Sequence, residues 1–355
     1  DMSPAVRENR GSVMDDLWEI EMAELTEDLG LSEEQLVEHM EYALFTPDEA
    51  REAGFVDEVL YWDELTDRLV NGEDEDEKLK TVSQKDYAKV SRESVGLKGK
   101  RRIAVVHAHG MIGGRKSTID PMLGIVMGHE TVSAHLRKAA EDDKVDAIVF
   151  RVDSNGGESV ASDLIAHTVE TISKEKPVIV SMIDIAASGG YMISYRATKM
   201  IADNMTIAGS IGSISGKFNT NGMYDKVGIT FDYMTKGPNG LMMSEHTDFT
   251  RAQRKRFEDN HWDGFNWWLE DVAENRGMEF EKAEELAHGR IFTGRQARDN
   301  GLIDDVGGLD RAIELAKEAA AIDPDEEVTL VHYPAKKGLI ASIMGSDSPI
   351  SVTFR

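Results

Sequence analysis

There is no cysteine among the 355 residues, so the chain can form no disulfide, offers no thiolate to a metal and has no cysteine nucleophile. That absence fits either side of a bacterial inner membrane. Positive charge is also scarce: 40 Lys and Arg stand against 66 Asp and Glu, a formal charge of -26. Such a surface repels phosphate backbones and anionic headgroups, which argues against a nucleic-acid partner. No uninterrupted apolar run approaches the roughly 20 residues of a spanning helix. The opening Asp1-Met2-Ser3-Pro4 has no signal-peptide layout, and a chain that starts with Asp reads as a piece of a longer protein. What is present is an apolar share of 41% and enough length for more than one domain.

The chain repeats itself. Phe45-Thr46-Pro47-Asp48-Glu49-Ala50-Arg51-Glu52-Ala53-Gly54-Phe55-Val56-Asp57-Glu58-Val59 returns 247 positions later, from Phe292 to Val306, with seven of fifteen residues identical. Unrelated segments would share about one. The pattern predicts a helix that starts at Thr-Pro or Thr-Gly, closes at Gly54 or Gly301, and feeds a short apolar strand. The same offset pairs Ala5 with Ala252 and Arg7 with Arg254. Residues 1–70 therefore read as the tail of a first copy and 100–330 as a complete second one. Between them, 71–99 read as an acidic linker and connector, with the charge run Asn71 to Lys78 as the solvated boundary. Residues 331–355 read as a C-terminal extension.

The second copy alternates β-branched runs with amphipathic stretches, which predicts an α/β fold of strand and helix units. Strands are expected at Ile103–His107, Ala147–Val152, Val178–Met182, Met200–Ala202 and Thr230–Met234. Helices are expected at about 129–141, 158–173, 189–197 and 250–275.

Two glycine turns follow strands and open helices, a geometry that converges backbone N–H groups on negative charge. They are Asp153-Ser154-Asn155-Gly156-Gly157 and Ala186-Ala187-Ser188-Gly189-Gly190-Tyr191. Ser188 between small residues could expose a nucleophilic hydroxyl, with the Gly189 N–H as half of an oxyanion hole and Gly157 able to give the other half. It could equally cap the following helix, the commoner role for serine at such a junction. Spacing alone leaves both readings open.

Those two turns, followed by Ala208-Gly209-Ser210-Ile211-Gly212 and by the Phe292 to Gly308 segment, resemble the ordered signatures of the signal peptide peptidase A family, peptidase family S49. The opening Asp1 to Glu8 is similar to a segment just past the lysine motif of the first copy in the long, two-repeat form. The resemblance implies a Clp protease/crotonase-like fold, Ser188 as nucleophile, Gly157 and Gly189 as oxyanion donors, and Ser210 as the serine that orients a catalytic lysine. It also implies a serine endopeptidase acting on cleaved signal peptides or similar membrane-derived peptides. No metal or organic cofactor is expected. A homo-oligomer, possibly a tetramer, at the outer face of a bacterial inner membrane is implied too. One departure is Asn155, which stands where proline is common in the family.

The lysine is the gap. In single-repeat members it falls in a Gly-x-x-Lys turn about fifty residues past the serine, and here Gly240 occupies that place. Lys236, four residues early, is a weak substitute. Moving the Gly240 position back by the repeat offset lands before Asp1, so the lysine is expected upstream and this chain alone is expected to be inactive. The alternatives are a catalytically silent peptide-binding scaffold and a crotonase-type acyl-CoA enzyme. The absence of a carboxylate after Gly189 argues against the second of these.

Other features carry plainer expectations. His107 and His109 lack a third ligand at metal spacing and read as structural, and Asp153 reads as a turn-forming acceptor. Trp262, Trp267, Trp268, Phe257 and Phe265 at helical spacing read as core or oligomer contact rather than a substrate platform.

Overall fold

The computed structural model describes residues 1–70, 79–90, 94 and 99–334. The acidic run at 71–78 and residues 335–355 of the expected extension lie outside the described residues. The chain divides into two compact units, Asp1–Arg101 with Asp325–Thr329, and Arg102–Pro324 with Leu330 onward.

The first unit is helical: α1 (Pro4–Leu29), α2 (Glu33–Tyr42), α3 (Pro47–Glu52), α4 (Trp62–Leu69) and the single turn α5 (Gln84–Tyr87). Side-chain caps set these boundaries. Ser3 accepts from the Val6 N–H ahead of Pro4, and Ser32 and Thr46 form reciprocal capping boxes with Gln35 and Glu49. Gly30, left-handed at φ 66°, closes α1. Few of its apolar side chains are buried, chiefly Val13, Ile20, Met22 and Leu36.

The second unit begins with β1 (Arg101–His109), β2 (Met111–Ile112), β3 (Thr118–Asp120), β4 (Gly124–Met127), α6 (His129–Glu141), β5 (Ala147–Ser154) and α7 (Ser159–Ser173). It continues with β6 (Val178–Ala187), α8 (Gly189–Met192), β7 (Lys199–Ala202), β8 (Ile207–Gly209), α9 (Asn221–Lys226) and α10 (Arg251–Arg276). Last come α11 (Phe280–Glu285), β9 (Ile291–Thr293), α12 (Gly294–Asp299), β10 (Asp305–Val306), α13 (Leu309–Ala319) and β11 (Val328–Tyr333). The main sheet runs β10-β7-β6-β5-β1-β11, with β8 added to β6 and β9 to β8. Its central pairs are parallel. Ile103–Val106, Ala147–Phe150 and Val178–Met182 are buried on both faces, which explains their unbroken apolar runs.

Three expectations fail. The segment after Gly54 forms no strand, since no sheet stands beside it among the described residues. Thr230–Met234 is not a strand: it finds no partner among the described residues, and its apolar alternation stays largely exposed. The helix expected over 189–197 stops at Met192, because Tyr195 and Arg196 turn instead to bond Asp271 on α10.

The helices of the two units start at one spacing. α1, α2, α3 and α4 begin at residues 4, 33, 47 and 62, and α10, α11, α12 and α13 begin at 251, 280, 294 and 309, each 247 later.

Candidate active site

Strand register brings three turns together. Ser154 on β5 lies opposite Ala186 on β6, and Ala187 lies opposite Gly209 on β8, so the segments that leave these strands emerge side by side. Ser188 and Ser210 are each the next residue after a paired position. The Ser188 N–H donates to the Gly209 carbonyl at 2.8 Å, and the Ser210 N–H to the Arg290 carbonyl at 2.6 Å. Both serines hold positive φ, 53° and 49°. That region is uncommon for a residue with a Cβ and marks a sharp, strained turn.

Ser188 occupies the N-cap position of α8, yet its hydroxyl makes no capping hydrogen bond. The side chain is half-buried at the head of the turn. Gly189 follows as the first residue of α8, where an N–H has no intrahelical acceptor. Glycine is required here by crowding. A Cβ on Gly189 would sit 2.5 Å from Ser162 Oγ and 3.0 Å from the Gly157 nitrogen. A Cβ on Gly157 would fall 1.9 Å from the Ile112 carbonyl oxygen, to which the Glu158 N–H donates at 2.9 Å. The Gly157 and Gly189 backbones thus meet beside Ser188.

A cavity of about 1040 Å³ opens over them. It is lined by Gly157 to Val160 and Asp163, by Ser188, Gly189 and Ser210, and by the Gly212 to Ser215 loop with α10 and His288. On α10, Phe257, His261, Trp262, Phe265, Trp267 and Trp268 line it. His261 is held by Ser215 Oγ at 2.7 Å and Ser213 Oγ at 3.3 Å. Among the described residues no lysine lines the cavity. Lys236 and Gly240 lie exposed in the turn after residue 234 and are not part of the cavity wall.

The aromatic residues divide. Phe265 and Trp268 are core residues as expected, whereas Trp262 and Trp267 remain half-exposed in the cavity. His261 on α10 and Asp163 on α7, neither marked by the sequence pattern, also line the cavity, and Arg196 is joined to Asp163 and to Asp271 on α10.

Support comes from buried polar groups. Tyr191, fully buried, donates to the Leu302 carbonyl at 2.8 Å and anchors α8, and burial raises its hydroxyl pKa far above the ordinary value. Arg196 contacts Asp271 at 2.6 Å and Asp163 at 3.2 Å. Burial works against its charge, but Tyr195, Asp271 and Asp163 outweigh that and raise its pKa. Asp153 pairs with His109 at 2.9 Å. His107 lies 3.1 Å from His332, and burial, then His332 and Arg151, lower its pKa to about 4, so it is neutral near pH 7. Among the described residues no three His, Asp or Glu side chains gather as metal ligands.

A family model described as Peptidase family S49 matches residues 170–323, which include Ser188 and Ser210. A putative protease of Synechocystis sp. is 33% identical over 214 residues, covering 60% of this chain and 76% of that protein. The chain belongs to peptidase family S49. Within the family it is similar to the chloroplastic serine protease SPPA of Arabidopsis thaliana, 32% identical over 347 residues, covering 94% of this chain and 51% of that one. Protease 4 of Salmonella typhi is 30% identical over 359 residues, covering 98% of this chain and 56% of the relative. The chain thus spans about half the length of these two S49 relatives. The parallel sheet and its helices are the α/β architecture of the Clp protease/crotonase-like class.

Proposed function

We propose that this chain carries the nucleophilic half of a serine peptidase. The observation that carries the reading is Ser188, at positive φ on a strand-to-helix turn, with its hydroxyl unused as a cap and two glycine backbones beside it. In this reading Ser188 Oγ attacks the substrate carbonyl carbon, and the N–H groups of Gly157 and Gly189 hold the oxyanion. A serine hydroxyl needs a base. The base is a lysine oriented by Ser210, and since no lysine among the described residues lines the cavity, we place it on another segment. Relatives about twice as long leave room for one. The lysine must be neutral to take the Ser188 proton, a state that burial favours. It then passes that proton to the leaving amine and activates the water that releases the acyl group.

The first unit is the tail of a preceding copy, as the common offset of four helices supports. The substrates are cleaved signal peptides or similar short membrane-derived peptides, and the complete protein is a membrane-associated homo-oligomer on the outer side of a bacterial inner membrane. Among the described residues no helix is long and apolar enough to cross a membrane.

A fluorophosphonate probe tests the reading. A chain extended through a full preceding repeat should be labelled and should cleave peptides, and Ser188→Ala should abolish both. The 355-residue chain alone should show little of either. Absence of labelling in the extended chain would favour a silent scaffold, and strong Ser188-dependent proteolysis by the short chain would remove the need for an outside lysine.

A further inference from the structure

The half-exposed rings in the cavity need an account. Trp262 and Trp267 keep 51% and 48% of their surface exposed, while Phe265 and Trp268 on the same helix keep 5% and 4%. Apolar surface held open inside a concave site is what a ligand's apolar group covers. Trp267 differs from its neighbour in what stands behind it.

The Arg196 guanidinium lies 5.8 Å from the Trp267 ring centroid, within the range of a cation–π contact. Its side chain is only 7% exposed. Asp271, one turn after Trp267 on α10, holds it at 2.6 Å, and Asp163 on α7 holds it at 3.2 Å. Glu170 stands farther off at 3.9 Å. Tyr195 donates its hydroxyl to the same Asp271 carboxylate and places its own ring 5.6 Å from the guanidinium. Asp163 and Trp267 both line the cavity. Arg196 follows Ser188 by eight residues, so one planar cation joins the segment after Ser188 to two walls of the cleft. Its charge is compensated by carboxylates, and the ring it stands beside stays half-exposed in the cavity lining.

We propose that Arg196 is a positioning residue that holds Trp267 as a flat platform for an apolar side chain of a peptide bound over Ser188. The proposal rests on the peptide-cleft reading given above. A buried ion network that served stability alone would make a different prediction: its loss would lower the melting temperature without selective damage to peptide binding.

The test uses the full 355-residue chain carrying Ser188→Ala, so that binding is read without turnover. The probe is a fluorescein-labelled decapeptide of alternating leucine and phenylalanine with a lysine at each end, followed by anisotropy. Arg196→Gln should weaken binding about tenfold and Trp267→Ala by a similar factor, while Arg196→Gln added to Trp267→Ala should cost less than twofold more. Arg196→Lys should fall between, since an ammonium keeps the charge but not the fork. Arg276→Gln, which breaks a comparably buried pair with Asp304 at 2.8 Å on the same helix, should lower the melting temperature but leave binding unchanged. Unchanged binding in Arg196→Gln overturns the proposal, as does an equal loss with and without Trp267. If the parent chain binds no peptide, the cleft reading falls and takes the proposal with it.

Discussion

The segments from Phe45 to Val59 and from Phe292 to Val306 share a capped helix and glycine turn but differ in their surroundings. Both open with a capping box, Thr46 with Glu49 and Thr293 with Gln296. Both run six helical residues and turn at a glycine with φ 82°. Both close with the same hydrogen bond, Phe55 to Ala50 at 2.9 Å and Leu302 to Ala297 at 2.8 Å. Their burial differs. Ala297, Leu302 and Ile303 are 0%, 0% and 2% exposed, whereas Ala50 and Phe55 are only half-buried and Val56 is 42% exposed. Phe292 sits in β9 against β8, whereas Phe45 meets the rings of His39 and Phe55 edge-on and that of Tyr42 tilted. Caps and a left-handed glycine are thus enough to build the helix and its turn, because they satisfy backbone groups locally. A strand and a dry core need neighbours, and among the described residues the Phe292 segment has a sheet beside it while the Phe45 segment has none.

The largest test of this contrast is truncation of the residue that follows the glycine. Leu302→Ala leaves a cavity in a closed core and should cost about 3 kcal/mol, within the range for buried leucine. Phe55→Ala removes a larger side chain from a half-exposed site and should cost less than half of that. Hydrogen exchange read segment by segment separates the two units, where a single melting curve would mix them. Equal losses would mean that the first unit is as well packed as the second.

A smaller effect should be equal in both places. Gly54→Ala and Gly301→Ala each force a Cβ into left-handed space, and in each the new atom has only an ordinary contact, 3.6 Å to Leu31 and 3.7 Å to Met278. The cost is therefore backbone strain alone, about 1 kcal/mol at either position by local exchange. A difference well beyond that between the two glycines would show that tertiary packing, and not the local turn, selects the conformation.

The same division explains how much was legible in advance. The turns at Gly157, Ser188 and Ser210 were visible because glycine and small residues at strand ends carry the backbone geometry locally, and the structure brings them together through strand register. The parallel strands showed in their unbroken apolar runs. Thr230–Met234 misled because alternation records a tendency that needs a partner strand. For Trp262 and Trp267 the expectation was core or oligomer contact; they are not core, because helical spacing cannot tell a packed ring from one left open. Arg196 gave no local signal at all: its partners stand 33 residues earlier and 75 later, at Asp163 and Asp271.

The smallest effect comes from the one chemical difference within the shared capping box. In α3 the residue that reaches back is Glu49, and in α12 it is the uncharged Gln296. Glu49 accepts from the Thr46 N–H at 2.8 Å, from the Tyr42 hydroxyl at 2.7 Å and from the Thr46 hydroxyl at 2.7 Å. Those bonds, the backbone one first, lower its pKa below that of an ordinary glutamate. A group whose folded pKa is depressed adds stability above its unfolded pKa, and that contribution is lost as pH falls through the folded value. Acidification from pH 6 to pH 3.5 should therefore reduce the amide protection factors of residues 46–53 more than those of residues 293–300 in the same sample. Glu49→Gln should make α3 behave like α12. If both segments lose protection in parallel, or if the Glu49→Gln chain keeps the original pH response, the cap is not what distinguishes the two copies.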